Sequence, residues 1–307
     1  MLFEGKRAVG VEFVAGGRQQ QVRAACEVIL SAGAIQTPQL LQLSGVGPPE
    51  LLTRHQIAVV HASVGVGANL QDHLQVRLVY QCTRPITIND DLMSWWRQAK
   101  VGLRYLLLRK GPLTVSAGYA GGFFRTRPEL KIPDVESHFI TFSTGKMGTG
   151  LHRFSGFTAS ICALRPESRG SVTIKSGDPM AAPAIQPNYL STEGDRATMV
   201  AGVKLLRNIM ARPAMMPYVA AEYEPGPQVA SDAALLEYIR DKGSTIYHPS
   251  CSCGMGSDAS AVLDERLCVR GLAGLRVIDA SVMPAVVSGN TNAAVVMIAE
   301  KGAAMAL

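Results

Sequence analysis

The chain has 307 residues, enough for one large domain or two ordinary ones with a substantial core. Its apolar fraction of 47% and charged fraction of 18% describe a globular chain and exclude intrinsic disorder. The net charge of +6 is spread over scattered Lys and Arg, which excludes a dedicated nucleic-acid module.

The six cysteines, at 26, 82, 162, 251, 253 and 268, are too sparse for a disulfide scaffold, so a reducing compartment is expected. His248, Cys251, Cys253 and Cys268 include metal-ligating side chains. The Cys-x-Cys spacing is tighter than that of structural zinc sites, so no metal is expected. Residues 1–7 carry no apolar leader core and no apolar run is long enough for a bilayer, so a cytoplasmic protein is expected.

Taken in order, residues 8–14 predict a strand, 15–18 a hairpin turn and 20–24 a returning strand. Val28-Ile29-Leu30 reads as a short buried strand closed by Ser31-Ala32-Gly33, small residues that let a backbone approach a nucleotide closely. Thr37-Pro38 predicts a helix start, with Leu40, Leu41 and Leu43 inward and a stop at Ser44-Gly45. Gly65-Val66-Gly67 reads as a turn and not as a dinucleotide fingerprint, since no third glycine follows at the needed offset. Asn69 to His73 reads as a polar loop in which His73 is a hydrogen-bonding residue and not a catalyst.

From about Gln75 the alternation of Val76, Leu78 and Tyr80 predicts a sheet strand. Asp90 or Asp91 is expected to cap a helix carrying Leu92, Trp95, Trp96, Ala99, Leu103, Leu106 and Leu107, with Arg97, Lys100, Arg104, Arg109 and Lys110 on its other face. Such a helix suits weak contact with a membrane surface, peripheral and not spanning. Packing over a sheet with a solvated basic face is the preferred reading. Further strands are predicted at 135–140 and 170–174. A capping box at Thr192 opens a helix with Met199, Val203, Leu206 and Met210 on one side, and Ser231 caps another with Leu235, Leu236 and Ile239 inward.

The last stretch is the most informative. Tyr247-His248-Pro249 supplies an imidazole, Leu275 to Ser281 a buried strand with an acidic turn, and Gly289-Asn290-Thr291 a polar approach to a final apolar helix at 293–301. A histidine accepts an alcohol proton near neutral pH, and an amide steadies the resulting alkoxide. A helix opening after Asn290 directs its positive end at an anion or a reduced ring. Each piece alone has a bland alternative, a loop histidine or an ordinary N-cap.

Residues 247–256, 275–284 and 288–293, with 31–38 continuing through Leu40-Leu41 to 44–47 and with 65–73, resemble the glucose-methanol-choline (GMC) flavoprotein oxidoreductases over essentially the whole chain. The first of these blocks resembles choline dehydrogenase and related alcohol dehydrogenase members. The resemblance implies α/β plus α+β architecture: a partial FAD-binding Rossmann-like domain interrupted by an antiparallel-sheet substrate-binding domain. The expected boundaries are 1–75 and 241–307 for the FAD-binding part and 76–240 for the insert. The family's opening Gly-x-Gly-x-x-Gly turn occurs nowhere in the chain, so the sequence is expected to be the C-terminal part of a longer enzyme.

The resemblance further implies a primary-alcohol substrate, choline-like or aliphatic or aromatic, oxidised by hydride transfer to flavin N5. His248 is then the base and Asn290 the alkoxide partner. Asp279 and Ala280 contact the flavin's linker; Tyr247, Asn290 and Thr291 line its ring; Ala32 and Gly33 lie near the adenosine. Oxygen or a quinone takes the electrons. Assembly into a homo-oligomer stays open, as does the alternative of a non-catalytic fragment that holds no FAD without an N-terminal piece.

Overall fold

The computed structural model describes residues 1–116, 118–145 and 150–306. The chain divides into two compact units. One comprises Met1–His73, Arg165–Ser191 and Tyr247–Leu307; the other comprises Leu74–Leu164 and Thr192–Ile246.

In the first unit, strands Arg7–Ala15 and Arg18–Arg23 form the predicted hairpin. Gly16 and Gly17 both sit at positive φ (59° and 73°), the conformation a two-residue hairpin turn demands. Strand Val28–Leu30 pairs in parallel with Leu275–Val277, although nearly the whole chain separates them. Helix Gly33–Leu43 follows the first of these strands. It opens four residues before the predicted start at Thr37, because the Gly33 amide is held by Asp279. Leu41 is buried within it, while Leu40 is exposed, against expectation. Leu41, Val46, Leu263, Leu275, Val277 and Val282 belong to one apolar core. The final helix, Asn292–Ala306, presses on that core through Ile298 and Gly302. A Cβ at Gly302 would stand 2.7 Å from the Ile278 side chain, so only glycine permits this approach.

The segment Arg165–Ser191 belongs to this unit, which differs from the boundaries expected at 76 and 240. The reason is a set of backbone bonds. Leu70 and Gly170 exchange both N–H···O bonds, at 3.0 and 2.8 Å, and Val172 N donates to Gly67 O at 2.7 Å. The buried Gln42 amide adds to them, donating to Val172 O at 2.9 Å and accepting from Ile174 N at 2.9 Å.

The second unit is built on an antiparallel sheet in the order Val219–Glu224, Leu74–Cys82, Gly156–Ala163, Val135–Ile140, Gly118–Phe124, with Ser244–Thr245 also pairing with Leu74–Cys82. Every residue of Gly156–Ala163 is buried. Helix Glu193–Met210 covers the sheet with Met199, Val203, Leu206 and Met210, the periodicity expected from sequence. The Thr192 hydroxyl caps it by accepting from Asp195 N. Arg207, near its C-terminus, forks onto Glu222 at 2.6 and 3.0 Å.

The region predicted as one helix from Asp90 is two helices, Ile88–Met93 and Trp95–Leu108. Asp90 lies inside the first, where its carboxylate accepts from Thr87 N at 2.9 Å. The preferred reading of the second, an apolar face packed on a sheet, is not what the structure has: no residue of Trp95–Leu108 is buried. Trp95, Trp96, Ala99, Leu103, Leu106 and Leu107 fall on one arc and are all exposed. Of the residues at intermediate exposure, Arg97, Val101 and Tyr105 lie on the opposite side, while Gly102 borders the arc.

Candidate active site

All the sequence-predicted site residues lie in the first unit. His248 stands at the start of a segment that runs antiparallel to residues 69–73, with Gln71 and Ser250 exchanging backbone bonds at 3.1 and 2.9 Å. This bridge brings His248 and His73, distant in sequence, to an Nδ1···Nδ1 separation of 3.0 Å, with the rings edge-on at 84°. One nitrogen donates and the other accepts. His73 is fully buried and His248 partly so.

Asp72 organises this pair. One carboxylate oxygen accepts from the backbone N of both His73 and His248 at 2.9 Å, and the other accepts from the Tyr189 hydroxyl at 2.5 Å. Tyr247, immediately before His248, adopts a left-handed φ of 65° and leaves its side chain exposed. A tyrosine in that conformation carries a local cost of about 1–2 kcal/mol, which the bonds made just after it by His248 N and by Ser250 offset.

The same loop is bonded to the segment that precedes Asn290. Asn69 Nδ2 donates to Pro284 O at 3.3 Å, and Val286 N donates to Gln71 Oε1 at 3.2 Å. These bonds tether the loop that leads to Asn290. Asn290 is exposed, two residues ahead of the helix that begins at Asn292, and Thr291 is buried. Thr291 therefore flanks the helix, not Asn290, and its carbonyl accepts from Val295 N at 2.9 Å.

Asp279 is buried and largely committed to the protein itself. Its carboxylate accepts from Gly33 N at 2.9 Å, the Thr37 hydroxyl at 2.6 Å and Ser281 N at 2.7 Å. It fastens the turn holding Ala32 and Gly33 to the turn holding Ala280, at the ends of the two parallel strands. A Cβ at Gly33 would meet nothing within 4 Å, so this edge is open. Small residues at the carboxyl ends of parallel strands, beside an open edge, fit a bound nucleotide.

Among the described residues no group of three or more His, Cys, Asp or Glu is placed to hold a metal ion. Cys251 and Cys253 are fully buried. Burial pushes the Cys251 thiol up to about 11 and raises Cys253 as well, which disfavours the thiolates a metal needs.

From the sequence, His248, Asp279 and the Ala32-Gly33 turn fall in one site and His73 reads as a hydrogen-bonding loop residue, whereas Asp72 and Tyr189 have no assigned part. The signal for Asp72 and His73 was the polar loop Asn69 to His73, interrupted only by the buried Leu70 and legible only once its partner segment was known.

Comparison with known proteins follows the same outline. Two family profiles described as GMC oxidoreductase match residues 1–75 and 166–299. An oxygen-dependent choline dehydrogenase from Pseudomonas putida is 46% identical over 303 residues, covering 98% of this chain and 54% of the relative. Formate oxidase from Aspergillus oryzae, in a structure concerned with FAD modification, superposes with TM-score 0.91 at 28% identity over 98% of this chain and 57% of its own. Pyridoxine 4-oxidase from Mesorbium loti gives TM-score 0.85 at 26% identity, with 98% and 55% covered. The chain thus spans about half the length of the relatives it matches.

Proposed function

Because the chain belongs to the GMC oxidoreductases, we propose that it forms the catalytic part of an FAD-dependent enzyme that oxidises a primary alcohol to the aldehyde. The substrate is choline-like, or a longer aliphatic or aromatic alcohol. The observation that carries this reading is the partly buried His248, held from behind by Asp72 and His73. FAD, when bound, supplies the hydride acceptor at its N5, and oxygen or a quinone then takes the electrons.

In this reading neutral His248 accepts the substrate hydroxyl proton, and the Asn290 amide donates a hydrogen bond to the oxygen that becomes negative. Ala32 and Gly33 would lie against the adenosine end of the cofactor, Asp279 and Ala280 against its linker, and Tyr247, Asn290 and Thr291 against its ring. The unit containing these residues is the cofactor-binding part, and Leu74–Leu164 with Thr192–Ile246 is the substrate-binding part. The test is His248→Ala in the FAD-loaded protein. Turnover should fall by about two to four orders of magnitude while bound flavin is retained. Turnover at the unmodified level would remove His248 from the reaction.

A second reading is favoured by the 54% coverage and by the missing glycine-rich turn: the chain holds FAD only together with a further N-terminal piece. Flavin absorbance that appears only on co-expression with the preceding half of a relative would establish it.

No helix among the described residues is long and apolar enough to cross a membrane. The outward apolar arc of Trp95–Leu108, with Arg97, Lys100, Arg104, Arg109 and Lys110 and no acidic residue over 95–110, supports peripheral contact with an anionic bilayer. Trp95 and Trp96 are the chain's two tryptophans, so their emission reports this contact alone. Anionic vesicles should shift it to the blue. An unchanged spectrum, or an equal shift with neutral vesicles, would refute the electrostatic account.

A further inference from the structure

The contact between His73 and His248 leaves one chemical question open, which of the two nitrogens carries the hydrogen, and the answer decides what His248 can do. A free histidine side chain mainly carries its hydrogen on Nε2. In that tautomer Nε2 has no lone pair and cannot act as a base. A base working through Nε2 needs a partner that accepts the hydrogen at Nδ1. His73 Nδ1 stands 3.0 Å from His248 Nδ1, inside hydrogen-bond reach.

We infer that His73 is a positioning residue that accepts the Nδ1–H of His248, and so fixes the tautomer whose Nε2 is bare. The inference rests on His248 being the base. His73 then carries its own hydrogen on Nε2. When His248 Nε2 takes up the hydroxyl proton, the imidazolium keeps its Nδ1–H and donates it to neutral His73, so the new charge is met by an acceptor already in place. Asp72 holds the two rings in register by accepting from both backbone amides, and it is itself fixed by Tyr189. The geometry needs no rearrangement during the transfer, because His73 is fully buried and the two rings already meet edge-on.

The test is long-range 15N–1H NMR on the whole chain labelled at its six histidines, with His248 assigned by its loss in His248→Gln. This readout needs no cofactor and no turnover. The wild-type chain should show His248 with hydrogen on Nδ1 and a bare Nε2. His73→Asn places its Oδ1 where the histidine Nδ1 stands and should keep that tautomer. His73→Leu should convert His248 mostly to the Nε2–H form. In FAD-loaded protein the Leu variant should lose about tenfold or more in turnover, and the Asn variant should stay within about threefold of wild type. A wild-type His248 with hydrogen on Nε2 would overturn the inference, as would one tautomer common to all three proteins. If His73→Leu fails to fold, the wild-type spectrum decides alone. A bare Nε2 combined with full turnover in His248→Ala would leave the tautomer assignment standing and remove the catalytic reading.

Discussion

Asp279 and Thr37 lie 242 positions apart in the chain, and the hydroxyl of one donates to the carboxylate of the other at 2.6 Å. With the Gly33 amide on the same oxygen, this contact joins the helix after the first parallel strand to the turn after the second. The sheet itself contributes only three paired positions here, so side-chain bonds set the local geometry.

Removing that acceptor takes the partner from the Gly33 and Ser281 amides and from the hydrogen that the Thr37 hydroxyl donates, at a site where Thr37 and Ser281 are buried. Asp279→Ala should destabilise the chain by about 3 kcal/mol. Asp279→Asn, which keeps one acceptor oxygen, should cost less. Urea unfolding midpoints measure both; equal midpoints for Asp279→Ala and wild type would show that Asp279 does not brace the turns.

Much of this arrangement was legible in the sequence, for reasons that differ by residue. Val28-Ile29-Leu30 and the Thr192 helix announced themselves because periodicity and caps are local signals. His248 and Asp279 were found as isolated chemistries in a familiar order. What stayed hidden was non-local. Nothing near His73 says that it meets His248, and nothing in residues 165–191 says that Gly170 and Val172 bond to the 67–70 turn. The helix at Trp95 misled in the opposite direction: its pattern is amphipathic, but the structure turns the apolar arc outward.

Gly67 sits at a φ of 82°, and a Cβ there would stand 2.1 Å from Val172 O. Gly67→Ala therefore combines left-handed strain with a backbone clash at the joint that docks residues 165–191. A loss of about 2–4 kcal/mol is expected, read by thermal unfolding. A stability within 0.5 kcal/mol of wild type would show that the joint yields freely, on the order of an ordinary surface change.

The Cys251 thiol, fully buried, is pushed by desolvation from an ordinary 9.0 up to about 11. Its neutral form is the one the folded state favours. This contribution is therefore complete below pH 9 and is lost as pH rises toward 11, amounting to about 3 kcal/mol. Cys251→Ala should flatten the alkaline limb of the stability profile relative to wild type. Parallel limbs would contradict the assignment.

In the second unit the Arg207–Glu222 pair is mostly shielded, with side-chain exposures of 22% and 12%. Deleting one partner strands the other charge, so Glu222→Gln and Arg207→Met should each cost about 3–5 kcal/mol. The double variant should recover part of that loss, and a double-mutant cycle on unfolding free energies measures how much. Strictly additive losses would show that the two side chains do not act as a pair.

The visible spectrum of the purified chain loaded with FAD, recorded without oxygen before and after addition of choline and then of simple primary alcohols, decides whether His248 serves an alcohol oxidation. A bound-flavin band should bleach with one of these alcohols in the wild-type chain and persist in His248→Ala. A bound flavin that no alcohol bleaches, or one that bleaches equally in the variant, would contradict that role.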